Sequence, residues 1–311
     1  MITSLPQQKL QEFSHLELFA RQAVEGFITG LHKSPFHGFS VEFAEHRSYN
    51  TGESTRYIDW KLFARTEKFF VKRFEEETNL RCQLVIDHSS SMLYPYQQKN
   101  DPQKHSKLSF SVHCAAALIY LLRKQRDASG LSLFSDTIEL HTPSKLNSVH
   151  NKRMFYELEK LLDPLQQQLS KKTFVANALH QLAENIHKRS LVVIFSDLFE
   201  NASQKDEIFP ALQHFKHNKH EVILFHVTDK RREQEFDFEN RPYNFIDLET
   251  NEQIKVNPSE IRENYIKALE NFQKELKLKC GQYQIDLVEA DINKPIEEVL
   301  LPFLIKRSKL F

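Results

Sequence analysis

From Arg81 onward, short runs of branched apolar residues alternate with stretches whose apolar positions recur at helical spacing. Cys82–Asp87, Leu191–Phe195 and Val222–Val227 read as largely apolar strands, and Tyr283–Val288 as a further strand. Strands of that kind are buried on both faces, the condition of a parallel sheet covered by helices. Between them, Phe110, Cys114, Ala117, Leu118 and Leu121 share one helical face, and Val175, Leu179, Leu182 and Ile186 share another. Residues 149–164 and 258–279 also read as helices, as does a stretch ending at Lys216. This alternation predicts an α/β fold: a doubly wound, mostly parallel sheet with helices on both faces. Two segments depart from it. Leu131, Leu133, Ile138 and Leu140 frame the turn Ser135-Asp136-Thr137 as a short hairpin. Residues 230–257 form a charged insertion with a hairpin across Glu249-Thr250-Asn251. The terminal helix is expected to start at Pro295, a favoured first-turn position.

Residues 1–80 lack this rhythm and are expected to form an N-terminal α+β extension packed on a core domain of residues 81–311. Residues 7–32 carry an amphipathic pattern, with a break expected near Gly26 or Gly30. Phe39, Val41 and Phe43 alternate with polar residues as a half-buried strand, and Lys68–Phe74 reads as a second one, running into Glu75-Glu76-Glu77. Asn50 to Thr55 is turn chemistry. Beyond it, Arg56, Asp59, Arg65 and Glu67 set opposite charges around the single tryptophan, Trp60. The plainer reading is an ion-pair cluster that pins the segment down. The other is a partner-docking face of Arg56, Asp59, Trp60 and Arg65, since Trp and Arg are over-represented at interface hot spots.

Composition removes several classes of function. Lys+Arg and Asp+Glu both number 42, which speaks against a general nucleic-acid binder with its basic excess. Cys82, Cys114 and Cys280 are scattered without a C-x-x-C pair, so buried thiols in a reducing cytoplasm are expected. No apolar run approaches the ~18 residues of a membrane span. Gln7, Gln8, Lys9 and Glu12 interrupt the N-terminus where a signal peptide needs an apolar core. The glycine-rich nucleotide signatures and the G-x-S-x-G elbow are absent.

What remains is a set of oxygen donors. Asp87, Ser89 and Ser91 form D-x-S-x-S directly after Leu84-Val85-Ile86. Asp197 likewise ends the strand Leu191–Phe195, and Thr173 lies in a loop entering a helix between the two. Ligands in open α/β sheets bind outside the carboxyl ends of the strands, so these loops can converge above one sheet edge. Two carboxylates and three neutral hydroxyls are hard donors, suited to Mg²⁺, with Mn²⁺ or Ca²⁺ as alternatives. His214, His217 and His220, spaced by three, read instead as a solvated basic helix end, and His88 is expected to turn away from the ion.

In this topology the pattern resembles a von Willebrand factor type A domain with its metal-ion-dependent adhesion site. The resemblance places Asp87, Ser89 and Ser91 in the first motif, Thr173 in the second loop and Asp197 in the third. Lys171 and Lys172 precede Thr173, where that second loop usually carries Gly. Upstream, Phe43, Arg47-x-Tyr49, Gly52-Glu53, Arg56-x-Ile58-Asp59-Trp60, Ala64-Arg65-Thr66 and Val71-Lys72-x-Phe74-Glu75 resemble the bacterial family called domain of unknown function 58. That resemblance runs from about Pro35 to the C-terminus. It implies a working partnership with a MoxR-type AAA+ ATPase in assembling or activating other proteins.

The chemistry expected is non-catalytic. An ion held by hydroxyls and few carboxylates stays electron-poor and can accept an Asp or Glu from a protein partner. A Mg²⁺-dependent phosphohydrolase with Asp87 as nucleophile is the alternative, but Ser89 stands where such an enzyme needs a general acid. A metal-free scaffold, with both acids satisfied internally, is the third possibility.

Overall fold

Branched apolar runs pair side by side here because helices seal both faces of the sheet that they form. The structure, a computed structural model, describes residues 15–28, 41–49, 58–76, 80–95, 106–163, 175–198, 205–248 and 252–310. The chain divides into two compact units, Met1–Pro35 with Arg81–Phe311, and Phe36–Leu80.

In chain order the first unit contains α1 (His15–Ile28), and the second contains β1 (Val41–Ser48), α2 (Trp60–Thr66) and β2 (Phe70–Glu76). Returning to the first unit, the chain forms β3 (Arg81–Asp87), α3 (Lys107–Lys124), the pair β4 (Ala128–Phe134) and β5 (Ile138–Lys145), α4 (Ser148–Leu162), α5 (Val175–Asn185) and β6 (Leu191–Ser196). Then come α6 (Lys205–His217), β7 (Glu221–Thr228), the hairpin β8 (Tyr243–Ile246) and β9 (Gln253–Val256), α7 (Pro258–Tyr283), β10 (Asp286–Asp291) and α8 (Ile296–Leu310).

Six strands of the first unit pair in the order β10-β7-β6-β3-β4-β5. The pairs from β10 through β4 are parallel. Strand β5 is antiparallel to β4, as a three-residue turn requires. The architecture is therefore mixed α/β around a mostly parallel sheet, as the alternation predicts. Successive side chains along a strand point to opposite faces. Val85, Ile194 and Leu224 share one core cluster with α5, α6 and α7 through Leu179, Leu212 and Leu276. On the other face Phe225, the neighbour of Leu224, meets Phe303 of α8 edge-on at 5.5 Å. Helices thus cover both faces.

Helix α3 is buried from Lys107 to Leu122 apart from two positions, Ser109 and His113. A helix apolar on nearly all sides needs cover beyond the sheet, and α1 supplies part of it. Leu16, Ala20, Ala23 and Val24 of α1 are buried, and Phe19 meets the His113 ring of α3 at 4.6 Å. Tyr120 donates to Glu25, and Arg123 pairs with Glu17. Helix α1 therefore groups with residues 81–311, not with the 36–80 segment expected to share its domain. It passes through Gly26 without a break, and Gly30 lies outside the described residues.

Helix α7 is longer than its sequence pattern predicts. It runs to Tyr283, where Gln284 takes a left-handed cap conformation, φ 54°, and donates its N–H to the carbonyls of Cys280 and Gly281. The following strand accordingly begins at Asp286. The hairpin in the 230–257 insertion is present, with Tyr243 opposite Val256.

In the smaller unit β1 and β2 pair antiparallel, Ser48 opposite Phe70. Asp59 caps α2 by accepting from the N–H groups of Lys61 and Leu62, at 3.0 and 3.1 Å. Trp60, 57% exposed, lies edge-on to Phe63 and Phe69. No described helix is long and apolar enough to cross a membrane.

Candidate functional site

Strand order changes direction at β3: the next strand in the chain, β4, pairs on one side of it, and β6 pairs on the other. Crossovers diverge at such a switch point and leave a crevice at the carboxyl ends. Ile86 stands opposite Phe195 across this pair, so Asp87 and Ser196 leave the sheet side by side. The crevice is where the oxygen donors meet.

Asp87 is fully buried and both of its oxygens are engaged. Oδ1 accepts from the Ser89 N–H at 3.0 Å, and Oδ2 accepts from the Ser196 hydroxyl at 2.6 Å. Ser196 Oγ in turn accepts from the N–H of Leu198, whose φ of 49° is left-handed. Burial, then the neighbouring Asp197 charge, pushes the Asp87 carboxyl up to about 7 against these hydrogen bonds. Asp87 thus ties the first loop to the third.

A chain of oxygens runs on from this base, with Ser89 and Asp197 buried and Ser91 half-buried. Ser89 Oγ lies 3.0 Å from Ser91 Oγ, which donates to Asp197 Oδ1 at 3.3 Å. Ligands at adjacent corners of a Mg²⁺ octahedron, 2.0–2.1 Å from the metal, stand about 2.9 Å apart. The Ser89–Ser91 and Ser91–Asp197 separations are therefore close to those between neighbouring corners of such a shell. Among the described residues, no group of three His, Cys, Asp or Glu side chains gathers as a metal site; this donor set relies on hydroxyls. Thr173 lies outside the described residues, as does Arg56 of the proposed docking face. Asp59, Trp60 and Arg65 of that face belong to the smaller unit.

The residue that the sequence reading missed is Lys107. Its ammonium, 2% exposed, donates to Asp197 Oδ2 at 2.6 Å and to Glu233 Oε1 at 2.7 Å. Burial alone would lower its pKa, but the Asp197 and Glu233 charges outweigh burial and raise it. Glu233 is anchored through Oε2, which accepts from the Asp229 N–H at 2.8 Å. Its local sequence carried no warning: α3 also has Ser109, Ser111, His113, Arg123 and Lys124, and lysine is almost never fully buried unless paired. Glu233 and Ser196 were equally unmarked in the sequence.

His88 turns to Glu139, 3.2 Å away, and so away from the oxygen chain. Of the histidine trio, His217 is exposed beside Lys216 and Lys219, as a solvated basic helix end requires, but the other two depart from that expectation. His220 is buried and accepts from the Ser190 N–H, while His214 faces His180 with its Nδ1 at 3.1 Å from the other. The reason is tertiary: the end of α6 lies against α5 and the start of β6.

Next to the site runs a groove of about 470 Å³. Ser91, Lys107 and Glu233 line it together with the apolar side chains of Phe245 and Ile254 and the ring of Tyr265.

The fold and this crevice define a mixed α/β protein with a polar cluster at the switch point of its sheet. Residues 45–275 match the family model described as "Protein of unknown function DUF58", and the chain belongs to that family. The proteins Rv1480 of Mycobacterium tuberculosis and Mb1516 of Mycobacterium bovis, both described only as uncharacterized, are each 24% identical to it over 216 residues. The matches cover 70% of this chain and 64% of theirs. Among solved structures, BatB from Bacteroides thetaiotaomicron is similar with a TM-score of 0.43 at 12% identity, covering 74% of this chain and 99% of that one. An aerotolerance-related membrane protein from Bacteroides fragilis has a TM-score of 0.41 at 14% identity, covering 73% and 99%.

Proposed function

We propose that this chain is a non-catalytic, metal-ion-dependent protein-interaction module built on a von Willebrand factor A-like domain. The observation that carries this reading is the meeting of Ser89, Ser91 and Asp197, from two separate loops, at spacings that suit one hard cation. Ser89, Ser91 and Asp197 would hold the ion, with Thr173 as a further ligand and Asp87 fixing the loops beneath. Mg²⁺ is the expected ion, Mn²⁺ or Ca²⁺ the alternatives. The bound ion would supply an electrophilic corner for a carboxylate from a protein partner. The groove beside Ser91 gives space for the flanking apolar side chains of such a partner. A MoxR-type AAA+ ATPase is the partner proposed, in assembly or activation of other proteins.

Phosphohydrolase chemistry fits less well. Asp87, its required nucleophile, is 0% exposed with both oxygens engaged. A metal-free scaffold has one observation in its favour: the ammonium of Lys107 already neutralises Asp197.

Thermal melting decides between ion and scaffold. With Mg²⁺ at about ten times its dissociation constant, stabilisation of roughly 1.4 kcal/mol is expected against EDTA, or about 2–3 °C for a chain of this size. Ser91→Ala should abolish the shift. Absence of a shift with Mg²⁺, Mn²⁺ and Ca²⁺ alike removes the metal reading. Capture of the AAA+ ATPase by the full chain should then require the ion that shifts the melt.

A further inference from the structure

Lys107 occupies a position that physical chemistry disfavours twice. It is buried, where an ammonium loses its hydration. It is also the first residue of α3, after the Ser106 cap, where the helix dipole repels a cation. Two charge-assisted hydrogen bonds hold it there, one to each of Asp197 and Glu233. The Tyr94 ring adds a face 5.7 Å away, and the Lys107 N–H donates to the Tyr94 carbonyl. The ammonium takes Oδ2 of the same carboxylate whose Oδ1 receives the Ser91 hydroxyl. Any ion on the oxygen chain must therefore share Asp197 with a fixed positive charge.

We propose that Lys107 is the built-in counter-cation of this site: it holds Asp197 and Glu233 in place without a metal and sets how tightly a divalent ion binds. This rests on the metal-dependent reading above. The ammonium and the ion compete for one carboxylate charge, so the ion binds weakly and exchanges, as a partner-gated site needs. Because Glu233 hangs from the same ammonium, the start of the 230–257 insertion is tied to the state of Asp197. Lys107 is a positioning residue, and its removal acts on the ion in the direction opposite to simple damage. A damaged site binds ions less well, whereas a site relieved of its counter-cation binds them better.

Calorimetric titration of the full chain with Mn²⁺ and Mg²⁺ tests this. Lys107→Met is expected to bind the ion at least about tenfold more tightly than wild type, since charges a few ångströms apart interact by more than 1.4 kcal/mol near a protein surface. Lys107→Arg, which keeps the charge, should stay near wild type. In EDTA, Lys107→Met should melt several degrees lower and recover more with Mn²⁺ than wild type does. Equal or weaker ion binding by Lys107→Met overturns the inference and leaves the metal reading standing. If wild type binds no ion but Lys107→Met does, the inference holds and the metal reading of the natural chain fails. If neither binds, both fall. Should Lys107→Met not fold, Glu233→Gln decides: it removes a negative charge while sparing the Asp197 pair, and must weaken ion binding; unchanged or tighter binding overturns the inference.

Discussion

Asp87 shows how one side chain can shape a site without facing outward. Its burial, and then the Asp197 charge, lift its carboxyl to about 7, whereas an unfolded Asp titrates near 3.9. Between about pH 4 and 7 the native state keeps a proton that the unfolded state has released. The contribution of this group to stability therefore falls as pH rises through that window and levels off above it. In EDTA, wild type should lose stability relative to Asp87→Asn as pH rises from about 4.5 to 7.5. A constant difference across that range would show an ordinary carboxyl. Ser196 carries the next link, donating to Asp87 and accepting from Leu198. Ser196→Ala leaves a buried carboxylate oxygen and an N–H unpaired, with an expected loss of about 1–3 kcal/mol in denaturant unfolding. Of the residues in this cluster, Asp87, Ser89, Ser91 and Asp197 were legible because each follows or lies close to an apolar run. Lys107 and Glu233 were not, since nothing in their local sequence points to a partner 90 or 126 residues away.

At the scale of elements, the β4–β5 edge shows packing that periodicity cannot express. Gly130 lies where the ladder shifts register between Ser129 and Leu131. An added Cβ there would meet Gln83 Oε1 and come within 2.6 Å of the Thr142 carbonyl oxygen. The Gln83 amide is itself fixed in this corner, donating to Ser132 and to that same carbonyl. Gly130→Ala is expected to cost about 2–3 kcal/mol by overpacking, read as a lower denaturant midpoint with an unchanged slope. The hairpin within the 230–257 insertion and the one around Ser135 were readable from turn residues and alternation. The end of α7 was not, because its stop depends on the backbone of Gln284 turning left-handed.

For the whole molecule, the two compact units make a prediction about independence. The oxygen chain and Lys107 all lie in the first unit. Replacing residues 36–80 by a flexible linker of about 15 residues should leave that unit folded, with cooperative melting and the same divalent-ion shift as the full chain. Loss of cooperative melting would show that the smaller unit is needed for the larger one to fold.

The sequence by itself determined the strands of the sheet, their mostly parallel pairing and the two loops that would carry oxygen donors. These follow from short-range rules: hydrophobic period, apolar run length and the chemistry of residues at strand ends. Only the tertiary structure decided which strand lies next to β3, that α1 joins the α/β unit, and that a buried ammonium shares the Asp197 carboxylate. Those facts depend on packing and electrostatic energies between segments far apart in the chain, and no local pattern encodes them.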